Sequence, residues 1–130
     1  MSEPRSQRAP LVRYLDETEA LSCPYGEVRR VVTGGEGGVA NIHVIRVTRG
    51  KPHIHRSYDE VYFVLAGRGR IRLDTRELEL RPGAAAVIPA GTVHSLEAEG
   101  DGPLEFVIFG VPPVPIEDER ARPVRPPAAE

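Results

Sequence analysis

Four side chains in this sequence have the types and spacing to act together on a metal ion. His53 and His55 stand one residue apart in the stretch HIHRSYDEVYFVLAG, which runs from His53 to Gly67, and Glu60 follows within the same stretch. Side chains of an extended strand alternate faces, so His53 and His55 point to one side and form a chelating pair. The run EVYFVLAG reads as a second strand beginning at Glu60, and if the two strands share a sheet the carboxylate faces the same interior. His94 lies in GAAAVIPAGTVHSLEA, where Pro89 and Gly91 separate two short apolar strands and the histidine opens the second. Imidazole nitrogen and carboxylate oxygen together suit one divalent transition metal: Mn, Fe, Co, Ni, Cu or Zn. Three of the chain's four histidines fall into this set.

These spacings resemble the two short motifs of the cupin superfamily, G-x5-HxH-x3,4-E-x6-G and G-x5-PxG-xx-H-xxx-N. His53, His55, Glu60 and Gly67 meet the first; Gly83, Pro89, Gly91 and His94 meet the second. Val47 stands where the first motif opens on glycine and Ala98 where the second closes on asparagine, departures that bear on turn geometry and touch no ligand. The resemblance covers roughly residues 28 to 110, and the stretch between the motifs, Arg68 to Pro82, is short, as in the small single-domain microbial members. It implies an all-β fold, a double-stranded β-helix or jelly-roll barrel, with the metal held by His53, His55, Glu60 and His94. Pairing through an edge strand or a sheet face, common in small cupins, implies a homodimer.

The elements that must position these groups are short and numerous. A chain of 130 residues with 13 glycines and 13 prolines has room for one core and many turns. About eight strands and no long helix are expected. A lead-in over residues 1–27 with a helical turn or edge strand between Leu11 and Leu21 precedes the barrel at 28–110, and a Pro-rich arm and disordered tail at 111–130 follows it. Glu27 to Thr33 and Val39 to Thr48 read as strands joined by the flexible GGEGG, TRGKP as a turn, IRLDTRELEL as a hairpin, and LEFVIF as a strand buried on both faces. Arg68, Arg70 and Arg72 at every second position read as a solvated strand face.

Parity from Glu60 turns Tyr62 and Val64 inward, which makes the Tyr62 hydroxyl a catalytic candidate near the metal, as donor to a substrate oxygen. His43 is the second catalytic candidate. With Asn41 it shares a face of the Val39 to Thr48 strand with Val39, Ile45 and Val47, and either that face or its opposite lines the barrel.

A net charge of -2 and a pI near 6.1 give no case for a nucleic-acid partner, and no window approaches the roughly 18 apolar residues of a membrane helix. The single cysteine, Cys23, forms no internal disulfide, and with a polar N-terminus this points to the cytoplasm. Three neutral imidazoles and one carboxylate leave a divalent ion with a net charge of about +1 and, if octahedral, about two open positions. Such a centre favours small, anionic, oxygen-rich ligands that bind through two atoms. The expected function is a small-molecule metalloenzyme of oxidoreductase, dioxygenase-like type. The alternatives are a non-redox isomerase, lyase or cyclase using the ion as a Lewis acid, and a non-catalytic sugar-type binding or sensing cupin.

Overall fold

The computed structural model describes residues 9–23 and 26–114. The lead-in at 1–8, the Pro24–Tyr25 turn and the tail from residue 115 lie outside the described residues. Ten strands follow one another along the chain: β1 (Ala20–Cys23), β2 (Gly26–Val32), β3 (Asn41–Val47), β4 (Arg49–His53), β5 (Asp59–Ala66), β6 (Arg68–Leu73), β7 (Arg76–Leu80), β8 (Ala85–Ile88), β9 (His94–Glu99) and β10 (Leu104–Val111). They build two antiparallel sheets, one ordered β1-β2-β3-β10-β5-β8 and the other β4-β9-β6-β7, which close on each other as a jelly-roll barrel. Helical structure among the described residues is confined to two short 3-10 turns, Leu15–Glu17 and Gly34–Glu36.

Alternation in the sequence decides which side chains go inside. Glu60, Tyr62 and Val64 of β5 are buried, whereas Phe63 and Leu65 are exposed; in β6, Ile71 is buried while Arg68, Arg70 and Arg72 face solvent. Val47, Tyr62, Val64, Ile71, Leu80, Ile88, Leu96, Leu104 and Phe106 pack into one core between the sheets, which holds the sheet carrying Glu60 against the sheet carrying His53 and His94. Gly67 makes the tight connection from β5 to β6 with φ of 87°, and a Cβ there would run into the Pro103 carbonyl.

Several expectations change. The strand count exceeds eight because the Leu11–Leu21 region gives both a helical turn and the edge strand β1, and because TRGKP is a strand and not a turn. β4 pairs with β9 through Arg49 and Glu97, Gly50 and Leu96, and His53 and His94, with an irregularity between Gly50 and His53 where Pro52 has no N–H to offer. β10 is buried on one face only: Leu104 and Phe106 are in the core, while Phe109 is exposed on the outer side of the sheet. Val47, at the position of the motif's leading glycine, is a core residue.

Candidate metal centre and cavity

His53 closes β4 and His94 opens β9, and the register sets them opposite one another, so their rings lie 4.1 Å apart between centroids. His55 is not in the same strand as His53, as alternation had implied; it lies in the loop after β4, and other contacts hold it. Its carbonyl accepts from Gly91 N–H at 2.7 Å, and four residues further on the Asp59 carboxylate accepts from Ala90 N–H at 2.8 Å. These two bonds fasten the Pro89–Gly91 loop to the loop bearing His55. On the other side Asp74, in the β6–β7 turn with φ of 55°, accepts from Val93 N–H at 3.0 Å and donates its own N–H to the Val93 carbonyl at 2.7 Å. Asp tolerates this left-handed conformation better than most residues. His94 therefore starts its strand from a clamped position.

One ligand nitrogen from each of His53, His55 and His94 falls within 4.8 Å of the others. Such a group could hold a divalent metal. Glu60, entering from the other sheet, brings Oε1 to 3.4 Å from His55 Nε2 and 3.6 Å from His94 Nε2. The tautomers follow from the outer partners. His53 Nδ1 lies 2.8 Å from the Lys51 carbonyl and His94 Nδ1 lies 3.0 Å from the Thr92 carbonyl. A carbonyl only accepts, so both Nδ1 atoms carry the proton, and the Nε2 lone pairs of the neutral rings are turned into the site. His94 Nε2 is buried with no hydrogen-bond partner among the described residues. Burial holds all three imidazoles neutral: the pKa of His53 is lowered, that of His55 to about 3 by burial and then by the neighbouring His53 and His94, and that of His94 to about 4 by burial and then by His53. The His53 and His94 lone pairs and the Glu60 carboxylate oxygen converge, an arrangement that repels itself until a cation neutralises it. The donor set fits a divalent ion.

Around these groups lies a cavity of about 350 Å³. The same cavity is lined by Asn41 and His43, so the first face of β3 is the one that lines the barrel, together with Ile45, Val47, Leu96, Phe106 and Ile108. Tyr62 is buried there, and its hydroxyl donates to the Glu60 carboxylate; burial first, then the Glu60 charge, raises the Tyr62 pKa well above the ordinary phenol value. The hydroxyl expected to serve a substrate oxygen is thus already engaged with the metal-site carboxylate. His43 does not join the histidine cluster. Its pKa is lowered to about 4 by burial and by the Arg30 charge, so its ring is neutral as well.

Tyr58 and the clamping role of Asp59 have no signal in the sequence, where Arg56 to Asp59 reads as a short polar turn; Asp74 reads only as the turn of its hairpin. Tyr58 is 3% exposed, stacks on His55 at 4.7 Å and 24°, and brings its hydroxyl to 2.9 Å from His55 Nδ1. Gly110 borders this ring, where a Cβ would meet Tyr58 at an ordinary contact distance of 3.5 Å. A tyrosine three residues after a candidate ligand histidine, in a loop, has no periodic signal to reveal it.

Comparison with known proteins agrees with this geometry. The family pattern described as Cupin domain matches residues 42–110, more than half of the chain, and the protein belongs to that family. It is 36% identical over 66 residues to an uncharacterized protein of Methanocaldococcus jannaschii, an alignment spanning 51% of this chain and about half, 53%, of that relative's length. Among solved structures it is similar to a protein from Planctomyces limnophilus, with 27% identity, a TM-score of 0.72 and coverage of 82% of this chain and 92% of that one. It is also similar to ectoine synthase from P. lautus, with a TM-score of 0.75 and coverage of 93% and 94%; at 17% identity that likeness concerns the fold alone. No helix among the described residues is long and apolar enough to cross a membrane.

Proposed function

We propose that this cupin is a metal-dependent small-molecule enzyme of oxidoreductase, dioxygenase-like type, with one divalent transition metal held by His53, His55, Glu60 and His94. The observation that carries the reading is three buried, neutral imidazoles and a carboxylate drawn together at one end of an apolar-walled cavity. Iron bound there would supply the one-electron chemistry through which a closed-shell organic molecule reacts with O2. The fitting substrate presents two adjacent oxygens, as an enediol does. Cleavage of the bond between its two oxygen-bearing carbons gives each carbon one atom of O2 and yields two carboxylic acids; the substrate's own four electrons reduce the O2, and no external reductant enters.

The chain's residues do the rest. Tyr62 holds the Glu60 carboxylate charged and oriented and is the hydroxyl nearest the chemistry, while Ile45, Val47, Leu96 and Phe106 keep water away from the reacting atoms. His43 offers a fourth neutral imidazole to the same cavity. The enzyme works as a homodimer. Across β3, β10, β5 and β8 the outward rows read Ile42, Phe109, Val61, Val87 and Val44, Val107, Phe63, Ala85, all apolar. The outer face of the other sheet carries Arg49, Arg70, Arg72, Glu77 and Glu97. An apolar face of this extent is rare on a monomer, and a second copy related by a two-fold axis presents the same surface to cover it.

The test is oxygen uptake by protein loaded anaerobically with Fe(II) and supplied with catechols and α-hydroxy ketones. One O2 is expected per substrate consumed, with uptake lost in His94→Ala. Turnover of these compounds by the zinc-loaded protein, without oxygen uptake by the iron form, would replace the dioxygenase with the Lewis-acid reading.

A further inference from the structure

The cavity has a second polar end, away from the histidine cluster. Along β3, β10 and β5 the inward residues fall into rows: Asn41, Gly110 and Glu60 in one, His43, Ile108 and Tyr62 in the next. His43 is thus two strands across from Tyr62, about 10 Å along the sheet at a strand spacing of about 4.8 Å. Its ring is 4% exposed, it lines the same cavity as the metal-site residues, and its Nε2 has no hydrogen-bond partner among the described residues. Asn41 is already used, accepting from Gly34 N–H at 3.3 Å and donating to the Val114 carbonyl at 2.9 Å.

Beside His43 stands a cation. Arg30 of β2 is the cross-strand partner of His43, so its side chain leaves the sheet on the same side. Its Nε is buried with no hydrogen-bond partner among the described residues; the same holds for the Nε of the neighbouring Arg29, whose guanidinium nevertheless reaches Glu27 at 3.8 Å. A guanidinium stays charged under all ordinary conditions, and a buried donor without an acceptor is costly. The unpartnered His43 Nε2, with Arg30 as its cross-strand neighbour and an apolar stretch of Ile45, Phe106 and Ile108 along the same cavity, defines what would complete this end.

We infer that the cavity takes a two-headed ligand: an elongated, largely apolar body with a chelating oxygen pair at the metal end and a carboxylate at the other, received by His43 with Arg30 behind it. The chelating end rests on the metal reading above; the carboxylate end does not. An anionic oxygen would accept from the His43 ring with the Arg30 charge close behind, and the low dielectric of the cavity strengthens such a bond.

Two probes separate the ends: phenylpyruvate, which has only the chelating head, and 4-carboxyphenylpyruvate, which adds the distal carboxylate. Titration calorimetry on the zinc-loaded protein is expected to find the second bound about tenfold more tightly than the first. Arg30→Gln should remove most of that preference while leaving phenylpyruvate affinity unchanged, and His43→Asn should remove the preference as well. Arg30 is only partly buried, so its variant keeps the test open should His43→Asn fail to fold. Equal binding of the two probes by the wild type, or a preference that survives Arg30→Gln, overturns the inference. Repeating the titrations without zinc distinguishes the two ends: phenylpyruvate affinity that does not change refutes chelation, whereas a persisting preference for the carboxylate still supports the His43 end.

Discussion

At the scale of single residues, the site is decided by where protons sit. The Lys51 and Thr92 carbonyls fix two tautomers, and the Tyr58 hydroxyl is placed to do the same for His55. Tyr58→Phe keeps the ring stacked but removes the partner of Nδ1; we expect metal affinity to fall about tenfold, in the range found when outer partners of metal-binding histidines are lost. Competition against a fluorescent zinc chelator measures this, and an unchanged affinity would deny Tyr58 its orienting role. Burial of the imidazoles has a second consequence. His43 and His94 titrate at about 4 and His55 at about 3 in the folded chain, against 6.5 when exposed, so between these values the unfolded chain binds more protons. The metal-free protein should therefore hold its stability above about pH 6.5 and lose it steadily towards about pH 4. Thermal melts across that range test the sign; a flat profile would mean that these rings are not desolvated in the folded state.

At the scale of elements, the ligands are carried by two strand ends and a loop that separate contacts tie together. The Asp74 turn and the Asp59–Ala90 bond take the place of a continuous strand in aiming His94 and His55. Asp74→Ala removes an acceptor and puts alanine at a positive φ, which should cost about 1–2 kcal/mol, while Asp74→Asn keeps both the conformational tolerance and an acceptor oxygen and should recover most of it. Urea unfolding of the two variants decides, and equal losses would count against the turn as the source of the effect. Legibility follows the same division. The inward parity of Tyr62 and Val64 and the outward arginines of β6 could be read directly because a strand has a strict period of two. β4 could not, because Pro52 and the irregular register hide a strand inside what looks like a turn. Nor could Tyr58, Asp59 and Asp74, whose roles depend on partners up to 31 residues away. The histidines stood out by spacing alone, but that His53 and His94 face each other across a ladder is a property of the register, which sequence does not display.

At the scale of the whole molecule, the two outer faces have opposite character. Across β3, β10, β5 and β8 the outer side of the six-stranded sheet carries two apolar rows, and the homodimer proposed for them predicts a mass of twice the 14.2 kDa chain in light scattering. Phe63→Arg, at an outward position 41% exposed, should give a folded monomer; a wild type that is already monomeric would remove the dimer. LEFVIF shows why the face was misjudged: an apolar run cannot itself say whether its second side meets a core or an outer surface.

The central claim, that the two sheets bring three histidines and a carboxylate onto one ion, is tested most directly by elemental analysis of tag-free protein and its His55→Ala variant, each equilibrated with Fe(II), Mn(II) or Zn(II) and then desalted. The account predicts about one ion per chain in the wild type and little in the variant. A wild type that retains no ion, or a variant that retains as much, would contradict it.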